Sequence, residues 1–326
     1  MAIPKRVPLI TKLPLASPLS VHIFASYYCN FKCSYCVHSM TASEQAEIGF
    51  VKQLMPFEVF TKAVDDVAAL PVKPKVLMFD GHGEPLTHPR IADMVRYAKE
   101  RTAAERVEIV TNGSLLTREM SNALIDAGLD RMRVSLQGCG ASAYEKVCGV
   151  KLNFDGFIDN LRYFYRRKAS TDLYVKIIDI ALDVSVENFH ALFDPISDTA
   201  VVEHLFPNIQ QIDHSAMGSE LKYAKNNDDE ARRVDVCPMP FYIAVVLPNG
   251  NVIGCCYIEP PAVFGNITKG SLLEIWNDNS RREFLKTQIS GRDANKICIN
   301  CKSPDYGTQQ VDFLDEYREQ LSKMFM

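Results

Sequence analysis

Two periodicities alternate along this chain. Short apolar runs with β-branched residues give way to longer stretches whose apolar residues fall three and four apart, the signatures of buried strands and amphipathic helices. "SVHIFAS", from Ser20, reads as the first strand and leads into a loop. In the next helix Pro56 suits the first turn, and Phe57, Phe60, Val64 and Val67 share a face. "KVLMFDG", from Lys75, is a second strand, followed by a helix with Ile91, Met94, Val95 and Ala98 in register. "RVEIVTNG" is a third; its helix runs from Thr117, a good N-cap, to Gly128, a good C′ residue. "RMRVSLQG" precedes a helix carrying Phe157, Leu161 and Phe164, "LYVKIIDI" precedes "NFHALF", and "VVEHLF", from Val201, is a sixth strand. Six β-α units in sequence predict a parallel sheet with helices outside. Eight would close a full barrel; six predict an open (β/α)6 TIM-like barrel, whose chemistry gathers at the C-terminal strand ends.

The pattern stops near Pro207. Residues 207–236 are polar and irregular, ending in "KNNDDEARR", and read as a connection. Beyond it "FYIAVVLPNGNVIGCCYI" reads as a hairpin turning at Asn249-Gly250. The expected organisation is a barrel over residues 1–225 and a small α+β domain over 226–326.

With a net charge of −4 and a pI of about 6.0, there is no electrostatic case for a nucleic-acid or anionic-membrane partner. The basic run at Tyr165–Lys168 suits a helix end, where cations complement the dipole. No apolar run reaches the length of a membrane span, and four prolines break the N-terminal apolar stretch, so neither a transmembrane helix nor a signal peptide is expected. The reading is a cytoplasmic protein, in which ten cysteines point to metal or redox chemistry rather than disulfides.

The cysteines fall into two groups. Cys29, Cys33 and Cys36, spaced C-x3-C-x2-C, lie just after the first strand. Thiolates suit iron–sulfur clusters, and three of them hold three irons of a [4Fe–4S] cube, leaving one iron open. The alternative is a zinc site completed by His38 or His82, although zinc favours C-x2-C pairs separated by a longer gap. Cys237, Cys255, Cys298 and Cys301 make a closed set of four, which chemistry alone allows to bind zinc or [4Fe–4S].

The trio after the first strand of a six-unit barrel resembles the radical SAM superfamily. In that family S-adenosylmethionine chelates the open iron, one electron cleaves its sulfonium, and the resulting 5′-deoxyadenosyl radical abstracts a hydrogen atom. "DGHGEP", from Asp80, is similar to the family's Gly-Gly-Glu segment, with Gly83 and Glu84 aligned and His82 standing where glycine is usual. The resemblance places Asn112 of "VTNGSLL", Ser135 and Gln137 of "VSLQG", and Tyr35 near the S-adenosylmethionine. Lys176 is either a snorkelling strand residue or a salt link to its carboxylate.

"C…NGNVIGCC…FGNI…LLEIWN…CINC" resembles the twitch half of the SPASM/twitch extension. That implies one auxiliary [4Fe–4S] cluster on the four cysteines, two clusters in all, and an external electron donor such as flavodoxin or ferredoxin. Cys256 is the spare thiol, read as packed or lying just outside the cluster; Cys148 and Cys139 read as core or surface thiols.

Twitch relatives imply a small polar substrate, a sugar or aminocyclitol whose carbinol is oxidised with the auxiliary cluster as electron acceptor. An epimerase would instead return a hydrogen from a thiol, with Cys139 or Cys256 as donor. A peptide maturase often carries an N-terminal recognition domain, and only 28 residues precede Cys29. A non-catalytic iron–sulfur protein would leave the open trio unexplained. Arg133 and His204 are candidate pocket residues.

Overall fold

The computed structural model describes residues 6–207, 209–217 and 230–325. Six strands, β1 (Ser20–Ile23), β2 (Val76–Phe79), β3 (Val107–Thr111), β4 (Arg131–Leu136), β5 (Asp172–Ile178) and β6 (Thr199–Glu203), pair in parallel and in consecutive order. Helices separate them: α1 (Ala42–Glu47) and α2 (Phe57–Ala68), α3 (Ile91–Glu100), α4 (Arg118–Asp126), α5 (Ala141–Cys148) and α6 (Phe154–Arg167), and α7 (Val186–Phe193). This is the open, partial barrel expected. Helix α4 begins on Thr117, whose hydroxyl accepts the Met120 N–H, and stops before Gly128 at φ +82°. The short α5 is an addition to the expected pattern; its eight residues carry too few apolar repeats to declare a helix.

The hairpin is also present, and its place is a finding. Its first strand β7 (Ile243–Val246) pairs in parallel with β1, from Ser20↔Ile243 to Ile23↔Val246. Strands β8 (Asn251–Ile253) and β9 (Gly265–Asn266) add antiparallel, giving one nine-stranded sheet ordered β6-β5-β4-β3-β2-β1-β7-β8-β9. The turn takes three residues: the Gly250 N–H returns to the Leu247 carbonyl at 2.8 Å, and Gly250 sits at φ +85°, the left-handed position such loops reserve for glycine. The remaining helices are α8 (Met239–Tyr242), α9 (Leu272–Trp276), α10 (Asn279–Ser290), α11 (Ser303–Gly307) and α12 (Arg318–Phe325). The expected boundary at 225/226, and Lys225–Asp229 of "KNNDDEARR", lie outside the described residues.

Alternation along each strand separates two environments. On β4, Met132, Val134 and Leu136 are buried against the helices, while Arg131, Arg133 and Ser135 face the barrel interior. On β5, Leu173, Val175 and Ile177 join the core, and Tyr174 and Lys176 face inward. A second core joins the chain's two ends: Leu9, Ile10 and Leu13 pack with Val236, Phe241, Leu285, Ile289, Leu314 and Leu321. A third seats the cysteine loop on the hairpin, through Phe24, Tyr27, Val37 and Phe50 against Ile243, Val245, Leu247 and Ile253.

Candidate active site

The loop after β1 carries Cys29, Cys33 and Cys36 to the C-terminal mouth of the barrel. The three thiols are mutual neighbours, since the negative charge of Cys36 acts on both others. Burial, the largest influence at Cys29, pushes its thiol up to about 12, and burial pushes Cys36 up as well. Packed thiols held protonated by desolvation are ready to give up protons to a metal group that takes their charge. Cys148 is fully buried at the end of α5, donates to the Tyr144 carbonyl at 2.9 Å, and touches Cys33; it is a core thiol.

The loop after β2 closes over this mouth. A Cβ on Gly83 would stand 2.1 Å from the Ser26 carbonyl oxygen, so only glycine lets this backbone approach the cysteine loop. Glu84 is 2% exposed. Its carboxylate accepts from the Leu86 N–H at 3.0 Å, the Thr111 hydroxyl at 2.6 Å and the Asn112 N–H at 2.7 Å, while burial acts to raise its pKa. Three donors leave one of its four lone-pair positions open to the mouth. Asn112 hydrogen-bonds Asn30 at 3.0 Å and lies 3.9 Å from Cys29 Sγ.

His82 turns away from the mouth into a ring cage of Phe24, Tyr27 and Phe50, with the Phe24 ring 5.5 Å away edge-on. Burial lowers its pKa to about 4, so the ring is neutral. Its carbonyl accepts from His38 Nε2 at 2.6 Å. Both histidines once considered for zinc are therefore engaged in packing and backbone contacts.

Tyr35 donates to Gln137 Oε1, and Gln137 turns its amide back to the Ser135 carbonyl at 3.3 Å. Ser135 pairs in register with Lys176, whose ammonium meets Glu203 at 2.9 Å. Arg133, one layer deeper, donates to Glu108 Oε2 at 2.7 Å; Arg106 and Arg131 converge on the same fully buried carboxylate. His204 shares a hydrogen bond with Asp179 at 3.1 Å. Cys139 lies beyond β4, where its N–H donates to Asp183 at 2.6 Å, and burial followed by the Asp183 carboxylate pushes its thiol up to about 12.

Two interior residues escaped the sequence reading. His22 on β1 bridges Ser20 Oγ at 2.9 Å and Asp80 Oδ2 at 2.8 Å. Asp80 Oδ1 is buried with no hydrogen-bond partner. The alternation of Ser20 and His22 was the available signal; their link to Asp80, 58 residues on, was not in it.

The other four cysteines, Cys237, Cys255, Cys298 and Cys301, line one cavity of about 270 Å³, with Cys256 on its wall. Burial dominates again, raising Cys255 to about 12 and Cys298 to about 11. Among the described residues no three His, Cys, Asp or Glu side chains converge closely enough to grip a single metal ion. A tetrahedral zinc would need its sulfurs each about 2.3 Å from one point. Four thiols spread around a cavity, with soft donors only, fit a polynuclear cluster instead.

Comparison with known proteins agrees with this geometry. The family model for the radical SAM superfamily matches residues 23–193, and that for an iron–sulfur cluster-binding domain (SPASM) matches residues 237–302. The AdoMet-dependent heme synthase of Methanosarcina barkeri is 24% identical over 88% of this chain and 92% of its own. The crystal structure of BtrN in complex with AdoMet and 2-DOIA superposes with a TM-score of 0.55 at 20% identity, over 87% of this chain and 92% of that one. Streptococcus suis SuiB bound to S-adenosylmethionine gives 0.63 at 16%, over 93% and 79%. Among the described residues no helix is long and apolar enough to cross a membrane. The two matched domains imply S-adenosylmethionine and two iron–sulfur clusters. With the first match spanning more than half of its 326 residues, the chain belongs to the radical SAM superfamily, as an enzyme with a C-terminal SPASM iron–sulfur domain.

Proposed function

We propose that this enzyme oxidises a carbinol of a sugar or aminocyclitol. One cluster sits on Cys29, Cys33 and Cys36 and leaves an iron for S-adenosylmethionine; the other, on Cys237, Cys255, Cys298 and Cys301, accepts an electron. The carrying observation is the contrast between three thiols at an open mouth and four around a closed cavity. When bound, the first cluster and S-adenosylmethionine supply hydrogen-atom abstraction, with first electrons from a flavodoxin or ferredoxin.

The protein's own residues hold and shield. Gly83 brings backbone against the cysteine loop, Glu84 and Asn112 lock the ends of β2 and β3, and Tyr35 with Gln137 forms one wall. Ser135 and Lys176 line the layer below. The interior favours a neutral, hydroxyl-rich guest. Its cations are committed, Arg133 to Glu108 and Lys176 to Glu203, while Asp80 Oδ1 stands ready to accept a hydroxyl or ammonium proton. A tetrapyrrole, the kind of substrate the heme synthase's name implies, would bring carboxylates that call for cations of their own.

One observation favours a second reading, epimerisation. Cys139 is kept as a thiol by burial and by Asp183, and a hydrogen-atom donor must be protonated. The product separates the two: a mass lower by two hydrogens supports oxidation, and unchanged mass with deuterium gained from solvent supports epimerisation.

A further inference from the structure

The cavity of the four C-terminal cysteines holds a cation that no cluster-ligand role explains. Arg292 is 0% exposed and lines the cavity together with Gln288. Its guanidinium donates to the carbonyl of Cys298 at 3.4 Å and to that of Cys301, and pairs with Asp305 Oδ1 at 2.6 Å. Its Nε–H is buried and has no partner. Gln288, also 0% exposed, points its amide N–H at Cys298 Sγ from 3.7 Å, and its Oε1 is buried and unpartnered. A buried guanidinium paired with one carboxylate normally spends its remaining donors nearby, because each unmet N–H costs about 1–3 kcal/mol. Here the unmet donor belongs to the wall around four thiols.

We propose that Arg292, assisted by Gln288, sets the reduction potential of the C-terminal cluster, holding it high enough to take an electron. N–H donors and positive charge near cluster sulfurs favour the reduced, more negative state, and low local dielectric strengthens both effects. Arg292 is thus a positioning and tuning residue, not a ligand. The inference rests on the assignment of the cluster to Cys237, Cys255, Cys298 and Cys301.

The test is a redox titration followed by electron paramagnetic resonance, on full-length protein in which Cys29, Cys33 and Cys36 are alanine, so that one cluster is seen alone. Arg292→Met should lower the midpoint by at least 59 mV, a tenfold shift in the electron-sharing equilibrium of a one-electron couple. Arg292→Lys, which keeps the charge and loses the fork, should fall between. Removing Arg292 strands Asp305, so Arg292→Met is also made with Asp305→Leu. Gln288→Leu leaves the ion pair intact and should lower the midpoint by a smaller step. Unchanged midpoints in iron-loaded Gln288→Leu and Arg292→Met/Asp305→Leu would overturn the proposal. If the parent without the first three cysteines binds no iron, the cluster assignment itself has failed.

Discussion

Glu84 accepts the Asn112 backbone N–H at 2.7 Å, so the C-terminal ends of β2 and β3 are fastened by one buried carboxylate. The same group takes Thr111 and Leu86, and its own N–H donates to the Tyr28 carbonyl at 2.8 Å, beside the cysteine loop. The mouth of the barrel is therefore built on a residue whose hydrogen bonds are mostly spent on the fold.

Glu84→Ala should destabilise the protein by roughly 3–5 kcal/mol, because it leaves three buried donors unmet. Urea unfolding of the metal-free protein measures this. Glu84→Gln keeps one carbonyl acceptor and should lose about half as much; equal losses would show that shape rather than hydrogen bonding matters.

Gly83→Ala places a carbon 2.1 Å from a backbone oxygen, and no flexible side chain can yield there. The loop must move away from Ser26. S-adenosylmethionine binding, followed by equilibrium dialysis on reconstituted protein, should weaken by about tenfold or more, the equivalent of roughly 1.4 kcal/mol. Binding within a factor of two of the parent would refute the cradle.

Iron content checks the two thiol sets separately. The parent should carry about eight irons, and the variant with Cys29, Cys33 and Cys36 replaced by alanine about four, with no reductive formation of 5′-deoxyadenosine. Cys298→Ala/Cys301→Ala should also fall to about four. Zinc in place of the lost iron in the triple variant would mean that the C-terminal set is not an iron–sulfur site.

The neutral His82 makes a pH prediction. Its pKa is 6.5 in the unfolded chain and about 4 in the fold, so the unfolded state binds more protons between those values. Stability is then fully present above 6.5 and falls as pH drops through about 4, by up to about 3 kcal/mol from this residue. Asp80 opposes the shift and His38 adds to it. His38, His88 and His214 are depressed by burial too, so the variant difference isolates His82. His82→Phe fits a cage of Phe24, Tyr27 and Phe50 and removes a buried, unpartnered Nε2. It should cost little at pH 7 and flatten the acid limb in denaturation midpoints taken from pH 7 to 4. An unaltered limb would place the titration elsewhere.

Much of this was legible in one dimension, and the misses have a common cause. The six β-α units were readable because each strand buries its alternate residues and each helix its own stripe, so the pattern is local. Helix α5 was missed because eight residues hold barely two turns of that stripe. The cysteine groups could be sorted because ligands of one centre must lie close, and C-x3-C-x2-C and Cys298-x2-Cys301 satisfy that within a single loop. Arg133, read as a residue facing the pocket, does face inward, yet its charge is answered by Glu108 on the neighbouring strand, 25 residues away.

The sequence alone determined the parallel order of the barrel, the open and closed thiol sets, and the glycine and glutamate at the mouth. Each depends on spacing within one segment and on chemistry the residue types carry wherever they are placed. Only the tertiary structure decided that β7 extends the sheet at β1, and that Leu9 hangs its N–H on Asp312, 303 residues away. It alone brought His22 to Asp80 and aimed Arg292 at the cavity of the four cysteines. These contacts join residues far apart along the chain. Which buried charge meets which partner is set by how the layers pack, a property that no local pattern of apolar and polar positions encodes.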